Sequence, residues 1–211
     1  MAELTVYPDP DPESDSIDGH VNNRNVSWST CRSAATGFDL LDNHTELFCL
    51  AQEVDGDDEY RISRVFTTFD TSPLGVGATI SAATLSLRGS SEQGTVTIHC
   101  VESTQASNNA LTTADFDQAG TTSFANVSSW SDVAYNDFTL SAAGRAIIDL
   151  TGVSLYAIRE GHDNDNSEPS VAEIFSATCF SADEAGTTKD PKLVITFTPP
   201  APASGFFALL V

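Results

Sequence analysis

Short runs of alternating apolar and polar residues recur along the chain and predict β-strands. The clearest runs span residues 83–87, 95–101 and 193–197. In the second run, Val96, Ile98 and Cys100 face one way, while His99 and the threonines face the other way, which predicts a solvated His99. Weaker patterns predict further strands at residues 28–32, 46–52, 61–69, 146–150, 153–159 and 171–180.

Turn residues interrupt these runs about every ten residues, a spacing typical of all-β folds. Proline, glycine and polar residues mark loops at residues 54–59, 72–77, 161–169 and 182–191. Residues 103–137 carry only short apolar pieces and are interpreted as a structured connection with one helical turn. About nine strands are enough for two facing sheets, so the sequence predicts an all-β, antiparallel jelly-roll β-sandwich with very little helix.

The end of the chain departs from this pattern. Residues 198–205 are proline-rich and predict a stiff linker, and six apolar residues follow it. Exposed apolar patches favour association, so these six residues are predicted either to fold back into a groove of their own domain or to enter a neighbouring subunit. The spacer character of proline favours the neighbour. The predicted organisation is a sandwich domain over residues 1–197 and a linker with an apolar anchor over residues 198–211, whose partner-binding residues are Phe206, Phe207, Leu209, Leu210 and Val211.

Charge narrows the range of partners. The chain has 211 residues, of which thirty are acidic and nine are basic, so its formal net charge is −21. Nucleic-acid binding is excluded as a default, because phosphate binding needs clustered Lys and Arg, and docking on an anionic bilayer is disfavoured. The apolar C-terminal run is far shorter than the roughly 20 residues of a membrane span. The first residues lack a signal peptide, which predicts synthesis in the cytoplasm and, for an external role, release with an assembly or by lysis.

Two stretches resemble the DNRLRE-type domain family. Residues 64–87 contain an arginine, a hydrophobic strand ending in Phe69-Asp70, a short loop and the pattern Ala-x-Ile-x-x-Ala-x-Leu-x-Leu. Residues 191–197 match the closing pattern Pro-x-Leu-x-Val/Ile-x-Phe/Tyr. The resemblance extends over about residues 4–198 and implies a jelly-roll β-sandwich similar to carbohydrate-binding modules. Stand-alone relatives with a cytosolic start and a short hydrophobic C-terminus look like proteins encoded among phage or virus structural genes.

One polar loop offers the oxygen ligands that Ca²⁺ prefers. Asp163, Asp165 and Asn166 are the candidate metal ligands, although the offsets of an EF-hand are absent. The alternative is a solvated turn, because Asp and Asn favour turns through local hydrogen bonds. Residues 55–59 and 9–18 are weaker candidates.

Aromatic residues in polar surroundings are candidates for sugar binding, because a ring face can stack on a pyranose. Trp130 and Tyr135 are the predicted glycan-binding residues, and Trp28 is a further candidate. The alternative, that the tryptophans plug the core, applies most to Trp28, at the start of a predicted strand. Catalysis finds little support, because the sequence lacks a Gly-x-Ser-x-Gly elbow, a phosphate-binding glycine loop and a His-Glu-x-x-His motif, and its histidines are scattered.

These observations predict a non-enzymatic structural subunit of an extracellular assembly: a virion decoration, head-fibre or tail-associated protein with a glycan-binding surface. The partners would be other structural subunits and polysaccharide, at a virion or extracellular surface. The alternative is a free carbohydrate-binding module of a secreted or cell-surface system. An assembly subunit is expected to oligomerise or to pellet with particles, whereas a free module is expected to be monomeric.

Overall fold

The computed structural model describes residues 1–56 and 59–201, and it is built almost entirely from antiparallel β-strands. The strands among these residues are β1 (Ala2–Val6), β2 (Asp18–Asn25), β3 (Asp39–Leu41), β4 (Glu46–Val54), β5 (Glu59–Asp70), β6 (Thr79–Gln93), β7 (Ile98–Glu102), β8 (Ala125–Val127), β9 (Tyr135–Thr139), β10 (Val153–Glu160), β11 (Ile174–Phe180) and β12 (Lys192–Thr198). The helices are α1 (Trp28–Arg32), α2 (Ala142–Ala146) and α3 (Gly161–Asp165), with 3₁₀ turns at Ser72–Leu74 and Thr113–Gln118. Strands account for 45% of the residues and helices for 12%, which confirms the predicted all-β class.

Strand β6 connects the two parts of the curled sheet. Its first part pairs with β12 and β9, and β12 pairs in turn with β1. Its last part pairs with β11, from which the order continues through β4, β5, β10 and β7 to β8. Strand β5 also pairs with β2, and β2 pairs with β3. The result is the predicted antiparallel sandwich, with twelve strands in the described residues where the sequence predicted about nine.

Strand β5 is buried on both faces, so it separates two hydrophobic cores. Val65 and Phe69 point into the larger core, whereas Ile62 and Phe66 point into the smaller one. This opposition follows from the two-residue period of a strand. Arg64 shares the face of Ile62 and Phe66 and is almost completely buried, which demands a buried counter-charge.

Two of the weaker strand predictions are wrong. Residues 28–32 form helix α1, because the Ser27 hydroxyl accepts a capping hydrogen bond from the Thr30 N–H. Residue 146 is the last residue of helix α2, and residues 147–150 follow the helix. The Ser141 side chain caps this helix by accepting a hydrogen bond from the Gly144 N–H. The predicted helical turn in the connection 103–137 is confirmed at Thr113–Gln118. Five of the described strands were not predicted: β1, β2, β3, β8 and β9. Strand β2 gave no pattern, because its sequence is dominated by polar residues even though most of it is buried.

His99 is buried, and the prediction of a solvated side chain is wrong. Strand β8 pairs with the edge of β7, and Ser123, just before β8, places its hydroxyl 3.0 Å from His99 Nδ1. Burial lowers the pKa of His99, so the ring stays neutral near pH 7. The four cysteines are free thiols and are also buried.

The predicted C-terminal anchor (Phe206, Phe207, Leu209, Leu210 and Val211) lies outside the described residues. The same holds for Asp57 and Asp58 of the acidic 55–59 loop. The described part of the linker runs from the end of β12 to Ala201. No helix among residues 1–56 and 59–201 has the length and apolar character needed to cross a bilayer.

Gly89 of β6 provides a test of the packing between β6 and the segment before β9. A Cβ atom at this position would lie 2.0 Å from the Ser131 carbonyl oxygen and 2.9 Å from Trp130 Nε1. We expect Gly89→Ala to lower the free energy of unfolding by about 1–3 kcal/mol, because the backbone of residues 130–131 must move to admit the methyl group. Urea unfolding measures the change, with Ser91→Ala at an exposed position of the same strand as the control. Equal stability of the two variants would contradict the close approach.

Candidate functional site

Asp163 of helix α3 is completely buried, and its carboxylate is held by two arginine side chains. Arg64 donates through Nε to Oδ2 (2.8 Å) and through Nη2 to Oδ1 (2.7 Å). Arg159 makes the same two bonds at 2.8 and 2.7 Å. Burial by itself would raise the pKa of this carboxyl, but the charges and hydrogen bonds of Arg64 and Arg159 lower it below the ordinary value of 3.8. Asp163 is therefore ionised at neutral pH.

A third arginine attaches helix α3 to helix α1. Arg32, the last residue of α1, donates through Nε to the Asp163 carbonyl (2.6 Å) and through Nη2 to the Asn164 carbonyl (3.2 Å). The Arg64 guanidinium also donates to the Arg32 carbonyl at 2.8 Å. We call Arg32, Arg64, Arg159 and Asp163 the arginine–aspartate cluster. It fixes α1 and α3 against β5 and β10.

The three predicted calcium ligands belong to three different interactions. The carboxylate of Asp163 accepts from two guanidinium groups, which places positive charge where Ca²⁺ would have to bind and argues against this residue as a ligand. The Asp165 carboxylate accepts from the Asn164 side chain at 2.8 Å. The side-chain oxygen of Asn166, Oδ1, accepts from Trp28 Nε1 at 3.2 Å. In the described part of the chain, no three or more His, Cys, Asp or Glu residues are grouped so that they could hold a metal ion. Calcium binding stays a prediction.

The two weaker acidic candidates are also engaged within the protein. In the 9–18 segment, one carboxylate oxygen of Asp9 accepts from the backbone N–H groups of Ser14, Asp15 and Ser16, an arrangement that closes a turn. In the 55–59 loop, the Glu59 carboxylate accepts from Arg61 Nε at 2.6 Å. The Asp9 contacts match the alternative of a turn held by local hydrogen bonds, whereas Glu59 and Arg61 pair within strand β5.

Trp130 and Tyr135, the predicted glycan-binding residues, do not present free rings. Trp130 is only 8% exposed and belongs to the larger core, because its ring lies beside the Gly89 backbone. The Tyr135 hydroxyl donates to the carbonyls of Thr188 and Asp190, both at 3.1 Å. The ammonium group of Lys192 lies 4.0 Å from the centre of the Tyr135 ring and covers one face. The alternative that the tryptophan plugs the core describes Trp130 correctly.

An open groove beside α1 has two aromatic residues in its wall, and we call it the aromatic groove. Its volume is about 500 Å³, and its lining residues are Val26, Ser27, Trp28, Ser29, Tyr60, Asn166 and Glu168. The Trp28 and Tyr60 rings meet edge to face, with 5.8 Å between their centres. Trp28 is 5% exposed and belongs to the smaller core, as the alternative for this residue predicted. Tyr60 is partly buried, and its hydroxyl donates to the Glu168 carboxylate.

The groove depends on helix α1, which the sequence pattern did not predict. Because residues 28–32 are helical, Trp28 packs beside Tyr60 at the start of β5 instead of alternating along a strand. The sequence signal that was available is the Ser27 cap directly before Trp28. Tyr60 had no signal of its own, because nothing in its local sequence indicates which residues lie across from it.

A second pocket lies on the other side of α3, and we call it the acidic pocket. Its volume is about 210 Å³, and its lining residues are Thr95, Thr97, Glu160, Gly161, His162, Asp165 and Ser167. The buried Glu160 carboxylate accepts from the His162 backbone N–H at 2.7 Å and lies 3.2 Å from His162 Nδ1. Burial raises the pKa of the Glu160 carboxyl, while these contacts with His162 oppose the shift. Glu160 therefore caps helix α3, and this structural role accounts for its buried position.

From the last residue of α3 onward, successive residues line the two cavities in turn. Asp165 and Ser167 line the acidic pocket, whereas Asn166 and Glu168 line the aromatic groove. Asn166 makes this possible by adopting a left-handed conformation (φ 56°, ψ 45°) that ends the helix. The groove combines the partly buried Tyr60 ring with hydroxyl, amide and carboxylate groups, a combination suited to contact with a sugar ring.

Comparison with known proteins does not assign a family to the chain. The sequence matches no protein-family model and no curated protein sequence. The resemblance to DNRLRE-type domains therefore stays a prediction. The function has to be argued from the site itself.

The arginine–aspartate cluster predicts a large loss of stability when its acid is removed. We expect Asp163→Asn to lower the free energy of unfolding by about 3–5 kcal/mol at pH 7, because it leaves buried guanidinium groups without a counter-charge. Asp165→Asn, on the same helix but exposed, is the control and should change stability by about 0.5 kcal/mol or less. Urea unfolding measures both changes.

The same cluster sets a direction for the pH dependence. Because the pKa of Asp163 is lowered on folding, its contribution is fully present above the ordinary pKa of 3.8 and is lost as the pH falls through the lower folded value. The difference in stability between the native chain and Asp163→Asn should therefore shrink as the pH falls below 4. A difference that stayed constant over this range would contradict the ionised cluster.

Proposed function

We propose that the chain is a non-enzymatic subunit of an extracellular assembly, a virion decoration, head-fibre or tail-associated protein, and that it binds polysaccharide through the aromatic groove. The observation that carries the binding part is the pairing of Trp28 and Tyr60 in an open groove of about 500 Å³. The assembly part rests on the predicted apolar C-terminal segment and on the resemblance to stand-alone jelly-roll proteins.

The polar groups of the groove suit a ligand rich in hydroxyl groups. The Glu168 carboxylate and the serine hydroxyls accept hydrogen bonds, and the serine hydroxyls also donate. The Asn166 amide group retains two N–H donors, since its carbonyl oxygen is the atom that accepts from Trp28. With a net charge of −21, the surface repels polyanions, so the proposed ligand is a neutral polysaccharide.

A binding role also agrees with the use of the buried ionisable groups. Asp163, Arg64 and Arg159 satisfy one another inside the fold, and Glu160 caps α3. These groups hold the wall between the two cavities in place. A preformed wall favours binding, because little ordering has to accompany the contact with the ligand.

The groove predicts which aromatic residue affects retention by polysaccharide. We expect Tyr60→Ala to weaken the retardation of the native chain in gels containing a neutral polysaccharide (xyloglucan, mannan or laminarin) by about tenfold, because the substitution removes ring surface from the groove. Tyr135→Ala is the matched control, because Tyr135 does not line the aromatic groove and Lys192 covers one face of its ring. Circular dichroism at each step verifies that both variants are folded.

Two results would overturn the glycan site. The first is loss of retention in Tyr135→Ala with normal retention in Tyr60→Ala, which would return the site to the residues predicted from the sequence. The second is the absence of retardation of the native chain by every polysaccharide of the panel, with alginate included as the acidic comparison.

The oligomeric state separates the two versions of the function. A subunit of an assembly should form oligomers in sedimentation velocity as its concentration is raised, or should pellet with particles when these are present. A chain that stays monomeric under both conditions and is still retained by polysaccharide would contradict the assembly role. It would then favour the alternative, a free carbohydrate-binding module.

A further inference from the structure

Asp18, the first residue of β2, is as deeply buried as Asp163 but has very different surroundings. Its side chain is 1% exposed. Among the described residues, the carboxyl group accepts one hydrogen bond, from the Ala182 N–H to Oδ2 at 3.0 Å. Asp163, in contrast, accepts from two guanidinium groups. A buried charge without such partners is unfavourable, and a carboxyl group in this situation stays protonated instead.

No basic residue compensates a charge on Asp18. All nine Lys and Arg residues lie within residues 1–56 and 59–201, and every ion pair that they form there has another acid as its partner. Residues 57, 58 and 202–211 contain no Lys, Arg or His, so they do not supply a counter-charge either. His20, two positions along β2, is also buried, and burial lowers its pKa to about 4. Its ring is therefore neutral above that pH.

The charged groups that face Asp18 are acids from two segments: Glu13 in the 9–18 segment, and Asp183 and Asp190 in the 182–191 loop. Burial raises the pKa of the Asp18 carboxyl well above its ordinary value of 3.8. The Ala182 N–H opposes this shift, and the charges of the three acids add to it. One buried oxygen of Asp183 and one of Asp190 also have no hydrogen-bond partner in the described part of the chain. Ionisation of all four carboxyl groups would therefore bring unpaired like charges together.

The other elements packed against Asp18 present hydroxyl, thiol and imidazole groups. Strand β5 places Thr67 opposite Asp18, and the Thr67 hydroxyl is buried without a hydrogen-bond partner among the described residues. Strand β11 contributes Cys179, and burial raises the pKa of its thiol, so the thiol is uncharged at neutral pH. His44, before β4, interacts electrostatically with His20 and with Asp183.

We propose that Asp18 is a proton-binding site whose uncharged carboxyl group holds the 9–18 segment against the 182–191 loop. Two hydrogen bonds cross this junction: the bond from Ala182 to Asp18, and a bond of 2.7 Å from the Asp11 N–H to Asp183 Oδ1. At acid pH the carboxyl groups are uncharged, and the two segments stay in contact. As the pH rises, Asp18 ionises beside the other acids, and their repulsion favours separation of the segments. This inference does not depend on the proposed glycan binding or on the assembly role.

The titration of Asp18 in the native chain tests the proton site directly. Carboxyl ¹³C chemical shifts follow the ionisation of each assigned Asp and Glu residue. We expect the Asp18 signal to keep its protonated position well above pH 3.8, and the exposed Asp15 serves as the internal comparison. Titration of Asp18 at or below its ordinary pKa would overturn the proposal.

The pH dependence of stability tests the same site through a variant. Because folding raises the pKa of Asp18, the unfolded chain ionises first, and the folding equilibrium constant falls by up to about tenfold per pH unit between 3.8 and the folded pKa. Asp18→Asn keeps a neutral acceptor for the Ala182 N–H, so its folding equilibrium constant relative to that of the native chain should rise over this interval. Asp15→Asn, at an exposed position of the same segment, is the matched control and should keep a constant ratio to the native chain.

Urea unfolding from about pH 4.5 to 8 measures these ratios. A constant ratio for Asp18→Asn, or an Asp18→Asn chain less stable than the native chain at pH 7, would overturn the proposal, since either result would show that the fold accepts the charged carboxylate.

Hydrogen exchange tests the junction itself. After correction for the intrinsic pH dependence of exchange, we expect peptides that contain residues 9–18 and 182–191 to open about tenfold more often at pH 8 than at pH 5 in the native chain. The change should be smaller in Asp18→Asn, and peptides from β10 should keep the same protection in both proteins. Equal protection of the junction at the two pH values in the native chain, or an equal change in Asp18→Asn, would overturn the link between the proton and the junction.

Discussion

The buried ion pairs of Asp163 are the interaction on which the arrangement of this molecule depends. One carboxylate joins Arg64 on the central strand β5 to Arg159 on its neighbour β10. Burying such charges is unfavourable unless every partner is satisfied. The geometry goes far toward this condition, because both guanidinium groups bind the carboxylate through two nitrogens and donate further N–H groups to backbone carbonyls.

These hydrogen bonds to backbone carbonyls also attach the long connection before β9 to the arginine–aspartate cluster. Arg64 Nη1 donates to the Phe116 carbonyl at 2.7 Å, and its guanidinium lies over the Phe116 ring at 4.0 Å. Arg159 Nη1 donates to the carbonyls of Ala119 and Gly120 at 3.2 and 3.0 Å. A segment with little regular structure is thus fixed to the sandwich by charged donors. The hydrophobic smaller core, which contains Phe116, closes around the same contacts.

The arginine–aspartate cluster also determines the shape of the aromatic groove. Arg32 holds α1 and α3 together, so Trp28 at the start of α1 meets Asn166 at the end of α3. Tyr60 reaches the same place from the start of β5. None of these three residues is close to another in the sequence. The shape of the aromatic groove therefore depends on the buried charges beneath it. A substitution at Asp163 would change the groove although Asp163 is not one of its lining residues.

The sequence by itself determined the all-β class, most of the strands and the inward apolar faces of the three clearest strands, because the two-residue period of a half-buried strand is a local pattern. Only the tertiary structure decided what the polar residues do. Asp163 has the local sequence of a solvated turn, and it is a buried counter-ion because the guanidinium groups of Arg64 and Arg159 both bind its carboxylate. Trp130 has the sequence of an exposed loop, yet it is buried because Gly89 lets the chain approach closely. Their partners lie 41 or more positions away, except for Arg159, and no local pattern records contacts at that distance in the chain.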